Sequence, residues 1–259
     1  NAIVTETDME QLTGYYISAA DLEKDITAIR PQLEALEPGT PVMIDVKNIK
    51  GELFYDSAAS EYRSGTISSK TMTELLKYLN AGNFYTIARM PALRDFNFGL
   101  NNVEFGLPTR GGYLWVDSSY CYWLNPANSG AQTFIMQQLS EIKGMGFDEV
   151  VYTEFRFPYT DQIIFEGDKD QAIADAADKL ATVCANDRFC LSFTGTDADF
   201  PLPQGNSRLY MENVAAANAA TLAQQTGIAD TAVHLAFLTD LHDTRFDAFC
   251  VLRPLSGAH

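Results

Sequence analysis

The sequence predicts an α/β protein with one closed (β/α)8 barrel, the TIM-barrel architecture, as a single domain over residues 1–259. Strand-like segments alternate with helix-like or loop segments, and the repeat averages about 32 residues, as in successive βα units. The best-defined strands are nearly all apolar, which is typical of a parallel sheet covered by helices. Eight such strands favour closure, because a barrel leaves no exposed sheet edge.

In the first half of the chain, strands are predicted over 14–18, 41–46, 84–90 and 149–155. Apolar residues at helical spacing predict helices over 19–36, 68–80 and 129–143. A polar loop covers 48–65. A long connection, 91–128, contains both tryptophans, and connections of that length are commonly functional.

In the second half, strands are predicted over 189–193, 208–212, 232–239 and 247–253, with helices over 168–184 and 213–226. The connections between the fifth and sixth strands and between the seventh and eighth are short and show no long helix pattern. An open or irregular barrel in this half is therefore the alternative.

The chain is acidic, with a formal net charge of −16 and a pI near 4.4. This charge disfavours nucleic acids and anionic membrane surfaces as partners, because both require a basic face. No apolar run approaches the roughly 20 residues of a membrane span. The four cysteines and three histidines lack zinc-ligand spacing, so we expect no metal and no cofactor.

Cys184 and Cys190 flank a predicted turn, and their pairing is an expectation only for an exported protein. The sequence begins at Asn1 rather than Met, which leaves room for an upstream signal or anchor. We expect an extracellular or cell-surface location, with the cytoplasm as the alternative.

Chemically active side chains follow the predicted strands at their carboxyl ends, whereas the opposite ends carry mostly Pro, Gly and small polar residues. These side chains are Ser18, Asp45, Lys47, Arg89, Glu154, Arg156, Thr194, Glu212, Asn213, Asp240 and Arg253. Because the carboxyl ends of parallel strands meet at one mouth, we expect these groups to converge there. Paired carboxylates at such a mouth suit cleavage of a glycosidic bond, and exposed aromatic rings suit sugar faces.

Glu154 is the candidate general acid/base, and Asp45, Glu212 and Asp240 compete to be the second carboxylate. Asp45 has the best context, because Asp45 and Lys47 share one face at the end of an apolar strand. The predicted substrate-binding residues are Lys47, Arg89, Trp115, Asp117, Asn125 and Arg156.

Each of these features also has a structural interpretation. Glu154 with Arg156, and Asp45 with Lys47, are alternatively ion pairs that close the barrel. Glu212 and Asn213 alternatively cap the next helix, and Asp240 is alternatively a solvated turn residue. Both tryptophans are alternatively packing residues.

Four motifs between Val42 and Pro158 resemble the bacterial "putative glycosyl hydrolase" domain family: VMIDVKNIKGELFYDS, FYTIARM, GGYLWVDSSYCYWLNPAN and GFDEVVYTEFRFP. The resemblance implies a TIM barrel with a carbohydrate-related role. It places Asp45, Lys47, Arg89, Asp117, Asn125, Arg156 and Pro158 where the family's motifs have the same residues.

One departure from the family affects the predicted chemistry. The family reads FDYVRFP where this chain reads YTEFRFP, so Thr153 takes the Asp position and Glu154 follows it. A one-residue step in a strand turns a side chain to the other face. Glu154 therefore either replaces that Asp through a local shift, or the acid is lost and the protein binds sugar without catalysis.

Three functions remain open from the sequence. The first is a glycoside hydrolase acting on a polysaccharide or cell-wall glycan, with a carbohydrate as its partner. The second is a non-catalytic barrel that binds carbohydrate or a protein on the bacterial surface. The third is a lyase or aldolase with Lys47 as amine nucleophile.

Overall fold

The computed structural model describes residues 9–185, 187–195 and 198–257. In these segments eight parallel strands pair in chain order, and β8 pairs with β1 to close the barrel. The strands are β1 Thr13–Ile17, β2 Pro41–Asp45, β3 Tyr85–Pro91, β4 Glu149–Thr153, β5 Cys190–Gly195, β6 Leu209–Glu212, β7 Leu235–Leu238 and β8 Cys250–Pro254. The predicted (β/α)8 barrel is confirmed.

The helices of the described segments are α1 Ala19–Asp25, α2 Ile29–Glu34, α3 Ser69–Leu79, α4 Phe96–Asn101, α5 Ser129–Gly144, α6 Lys169–Ala181, α7 Ala219–Gln225 and α8 Thr231–His234. The predicted helix over 19–36 is interrupted by a 3-10 turn, Ile26–Ala28. The Asp25 side chain accepts from the Thr27 amide and so caps that turn. The break follows from this local hydrogen bond, which apolar spacing does not reveal.

The predicted irregularity of the C-terminal half is also present. Between β5 and β6, the described residues contain no helix. Between β7 and β8 there is only a 3-10 turn, Thr244–Phe246. The seventh strand is shorter than predicted, because Asp230 takes a left-handed conformation (φ 52°) and starts the short helix α8 before Leu235.

Inside the barrel, alternate strand residues form stacked layers, as the period of two along a strand requires. The layer nearest the amino-terminal ends of the strands contains a fully buried ion pair, with Arg208 Nη1 2.7 Å from Glu149 Oε2. Glu149 also accepts from the hydroxyls of Tyr85, Ser192 and Tyr210. An apolar layer follows, with Met43, Ile87 and Val151 among its members. The next inward residues along the same strands form the upper layer, at the carboxyl-terminal mouth.

Candidate active site

Asp45 and Glu212 end their strands and Arg89 lies two residues before the end of β3, and all three line the mouth. Arg89 donates to Asp45 Oδ1 at 3.0 Å and to Glu212 Oε1 at 2.7 Å. Since a single planar guanidinium joins them, these two oxygens lie less than about 8 Å apart. The structure thus brings three predicted residues into one cluster.

Tyr16 of β1 completes this cluster. Its hydroxyl donates to Asp45 Oδ2 at 2.7 Å, and the Ala19 amide donates to the same oxygen at 2.8 Å. Burial, with the neighbouring Asp45 carboxylate, raises the pKa of Tyr16, so it stays protonated as a donor. Burial alone would lower the pKa of Arg89, but Asp45, Tyr16 and Glu212 raise it overall, so its charge is permanent.

Glu154 reaches the mouth through an unusual backbone conformation. Strand β4 ends at Thr153, and Glu154 has φ +54°, in the left-handed region that side-chain-bearing residues seldom adopt. Its carboxylate lies between two guanidiniums: Oε2 is 3.0 Å from Arg156 Nη2 and Oε1 is 3.6 Å from Arg94 Nη1. The predicted proximity of Glu154 and Arg156 is therefore present, although the strand does not continue to Arg156.

Asp117 and Trp123 contact the two arginines that flank Glu154. Asp117 Oδ2 accepts from Arg94 Nε at 2.6 Å and from Trp123 Nε1 at 3.0 Å. The guanidinium of Arg156 lies 4.6 Å above the centre of the Trp123 ring. Trp123 is 3% exposed, so it packs against the arginines rather than facing a ligand.

Two adjoining cavities open at this end of the barrel. The first, of about 360 Å³, is lined by Asp45, Arg89, Thr153, Glu154 and Glu212, among others. The second, of about 700 Å³, extends over the segment after β4 and the start of α6. Arg156 and Thr194 line both. The Thr194 hydroxyl is buried and has no hydrogen-bond partner within the described residues.

The structure corrects the alternative in which Lys47 forms an ion pair with Asp45. Its ammonium does not join Asp45, because β2 ends at Asp45 and the strand alternation does not extend to Lys47. It lies 2.7 Å from Asp95 Oδ2 and 3.4 Å from Gln138 Oε1, with both members of the ion pair at most 1% exposed. The lysine lines the first cavity, but its ammonium is paired with Asp95 and contacts Gln138.

Other predicted residues lie outside the two cavities. Asp240 is an exposed residue after β7, and Arg253 donates to the Leu241 carbonyl. The Asn125 side chain accepts from the Ala127 amide within a turn. Trp115 Nε1 donates to Gln162 Oε1 at 3.2 Å and so joins two loops.

Sequence reasoning missed Tyr16 and Arg94. Tyr16 could have been found from its inward position in the first strand, two residues before Ser18. Arg94 lies in the long connection after β3, where no periodicity indicates the direction of a side chain. Ser18 directly follows β1 at its carboxyl end, and its side chain caps α1.

Cys121, Cys184, Cys190 and Cys250 are all free, so the expected pairing of Cys184 with Cys190 is absent. In the described segments, no three His, Cys, Asp or Glu side chains are grouped to hold a metal ion. None of the helices in these segments has the length and apolar character needed to cross a membrane.

Comparison with solved structures gives neighbours that share the fold at low identity. A hypothetical protein from Ruminiclostridium thermocellum is 18% identical, with TM-score 0.55 over 76% of this chain and 96% of that one. An α-galactosidase from Thermus thermophilus, in complex with p-nitrophenyl α-D-galactopyranoside, is 10% identical, with TM-score 0.61 over 96% of this chain and 59% of that one. A GH31 sulfoquinovosidase from E. rectale is 12% identical, with TM-score 0.52 over 77% and 32%.

The chain thus spans less than two thirds of these two glycosidases. No curated protein matches its sequence. A family model described as "Putative glycosyl hydrolase domain" matches residues 14–187, which is more than half of the chain and includes the four motifs. The chain belongs to this glycosyl-hydrolase-like family.

Proposed function

We propose that the protein is a glycoside hydrolase that cleaves a polysaccharide or cell-wall glycan by paired-carboxylate catalysis. The observation that carries this proposal is that Glu154, just after β4, and Glu212, at the end of β6, line one cavity at the carboxyl-terminal mouth. Catalytic groups in barrel enzymes lie at this end. The family description and the glycosidase folds support the same class.

Glu154 is suited to the role of the carboxylate that works as an anion. Both of its oxygens face guanidiniums, and its side chain is 23% exposed, so a ligand can reach it. In a glycosidase, this carboxylate either attacks the anomeric carbon or activates a water molecule.

Glu212 is suited to the role of the proton donor. Only Oε1 contacts Arg89, and in the described part of the chain Oε2 has no protein partner. Its side chain is 27% exposed at the cavity. A carboxyl oxygen without a protein partner is left to protonate a leaving glycosidic oxygen. In this proposal Glu212 takes the acid role that the sequence suggested for Glu154.

Asp45 is proposed as a positioning residue. Both of its oxygens are occupied, by Arg89, Tyr16 and the Ala19 amide, and its side chain is 9% exposed. It therefore fixes Arg89, which in turn orients Glu212. The proposal leaves Lys47 and Asp240 without a catalytic role.

Hydrolysis by Glu154→Gln and Glu212→Gln variants tests the assignment. The panel would contain p-nitrophenyl α- and β-glycosides, beginning with the α-D-galactopyranoside, and stachyose and plant and bacterial polysaccharides. Each variant should lose about 100- to 10,000-fold in kcat/KM. The matched control is Glu74→Gln, at an exposed site on α3, which should retain full activity. Undiminished turnover by either cavity variant would refute the roles given above.

A non-catalytic sugar-binding barrel is the second candidate. It is favoured by the fact that Asp45, Glu154 and Glu212 all contact arginines, as in a structural charge network. Binding of a glycan by the wild type, with no release of reducing sugar from the same glycan, would decide for this candidate.

A further inference from the structure

We propose that the 700 Å³ cavity is a second sugar subsite, so that the substrate is a neutral glycan of at least two sugar units. This inference rests on the proposed function of the neighbouring mouth. The two cavities share Arg156 and Thr194 as wall residues, so a chain with one unit beside Glu154 can continue into the second cavity. Both volumes are within the range of ligand pockets, about 300 to 1,000 Å³.

Tyr159 supplies an aromatic platform in the second cavity. Its ring is 72% exposed and lines that cavity. The guanidinium of Arg156 lies 4.1 Å from the ring centre and 4.6 Å from the Trp123 ring centre, so Arg156 is stacked between them. Because Glu154 also binds Arg156, the platform is fixed relative to the candidate catalytic carboxylate. An exposed tyrosine ring offers apolar area to the carbon face of a sugar.

Thr194 supplies a polar group at the junction. It follows Ser192 on the inward face of β5, and its buried hydroxyl has no partner within the described residues. Buried hydroxyls are normally hydrogen-bonded, so one without a partner in the described residues is available to a ligand or to water. A sugar hydroxyl at the junction can both donate to it and accept from it.

The charge of the lining indicates a neutral glycan. Asp168, Asp170 and Asp199 line the second cavity against Arg156 and Lys169. Among the lining residues that the structure describes, this balance offers no surplus of positive charge to an anionic sugar, and Arg156 is already bound to Glu154. Carboxylates accept and cations donate, and sugar hydroxyls can do both.

The test is binding of oligosaccharides and of their own monosaccharides, independent of turnover. The probes are stachyose with galactose, and the β-1,4-linked tetramers of glucose, xylose and N-acetylglucosamine with their single units. Isothermal titration would use the wild type and the Glu154→Gln background. At least one tetramer should bind at least 10-fold more tightly than its monosaccharide.

Tyr159→Ala should weaken binding of that tetramer by about 10-fold and leave the monosaccharide unchanged, because Tyr159 lines only the second cavity. Thr194→Val should also weaken binding of the tetramer by about 10-fold. The matched control is Tyr113→Ala, because Tyr113 is 78% exposed but lines neither cavity. If no tetramer is preferred over its monosaccharide, or if Tyr159→Ala behaves like Tyr113→Ala, the subsite is refuted.

The two proposals fail separately. Glycan hydrolysis that depends on Glu154 and is indifferent to Tyr159 would refute the subsite and keep the hydrolase. Tyr159-dependent binding without any hydrolysis would keep the subsite and refute the hydrolase.

Discussion

Replacing Lys47 by Met tests whether this lysine is structural or chemical. Its ammonium is 2.7 Å from Asp95 Oδ2, and the exposed fractions of the two side chains are 0% and 1%. Methionine retains an unbranched apolar side chain in the same space but removes the charge. Asp95 would then be left as an uncompensated buried carboxylate, and the cap that it supplies to α4, by accepting from the Phe98 amide, would be weakened.

Breaking a buried ion pair by removing one partner costs about 3–5 kcal/mol. That is a large part of a typical unfolding free energy of about 5–15 kcal/mol. The exposed pair Arg30–Glu34, at 3.0 Å with 60% and 53% of the side chains exposed, provides the contrast. Glu34→Gln should cost less than about 1 kcal/mol.

Urea unfolding followed by tryptophan fluorescence measures both variants against the wild type. A Lys47→Met variant whose unfolding free energy stays within about 1 kcal/mol of the wild type would refute the structural role. Borohydride trapping with a carbonyl substrate checks the rival role, and we expect no labelling of Lys47, because a paired and buried ammonium is not a free amine nucleophile.

Two further predictions concern the loops over the mouth. Burial alone would raise the pKa of Asp117, but hydrogen bonds from Arg94, Trp123 and two backbone amides lower it overall below the ordinary 3.8. The stability it confers is therefore complete above that value and is lost as the pH falls through the lowered pKa. Asp117→Asn should make the fall in Tm below about pH 4 less steep. A variant whose Tm falls with pH as steeply as that of the wild type would contradict this. Glu141→Ala removes the acceptor for Ser57 and for the amides of Ala58 and Ala59. It should cost about 2 kcal/mol and open the segment after β2 to limited proteolysis, with Glu74→Ala as the control.

The barrel was predictable because its strands carry strong local signals. PVMIDV, at 41–46, has no solvated face, so only a sheet covered by helices can bury it. Element ends were less predictable, because single side chains set them. Asp25 breaks the first helix by capping Thr27, and the left-handed Asp230 shortens the seventh strand. Such hydrogen bonds and backbone angles are not visible in an apolar pattern.

The mouth was predictable only as far as the strands extend. Asp45 and Glu212 end their strands and Arg89 lies near the end of β3, all on the inward face, so strand alternation brings them together. Extending the same alternation two residues past Asp45 gave the wrong partner for Lys47, since β2 has already ended. Arg94, in an irregular loop, was missed because the direction of its side chain depends on Asp117 and not on a period.

The Thr-Glu departure from the family motif shows how one residue's backbone can alter a site without altering the fold. Were β4 to continue through Glu154, that side chain would point away from the inward Thr153 and into the surrounding helices. The strand instead ends at Thr153, and the left-handed Glu154 turns its carboxylate to the same cavity. Such a conformation costs about 1–2 kcal/mol for a residue with a Cβ. Contacts from Arg94 and Arg156 hold the carboxylate in this position. Of the two alternatives left by the sequence, our proposal adopts the displaced acid, and the Glu154→Gln variant tests it.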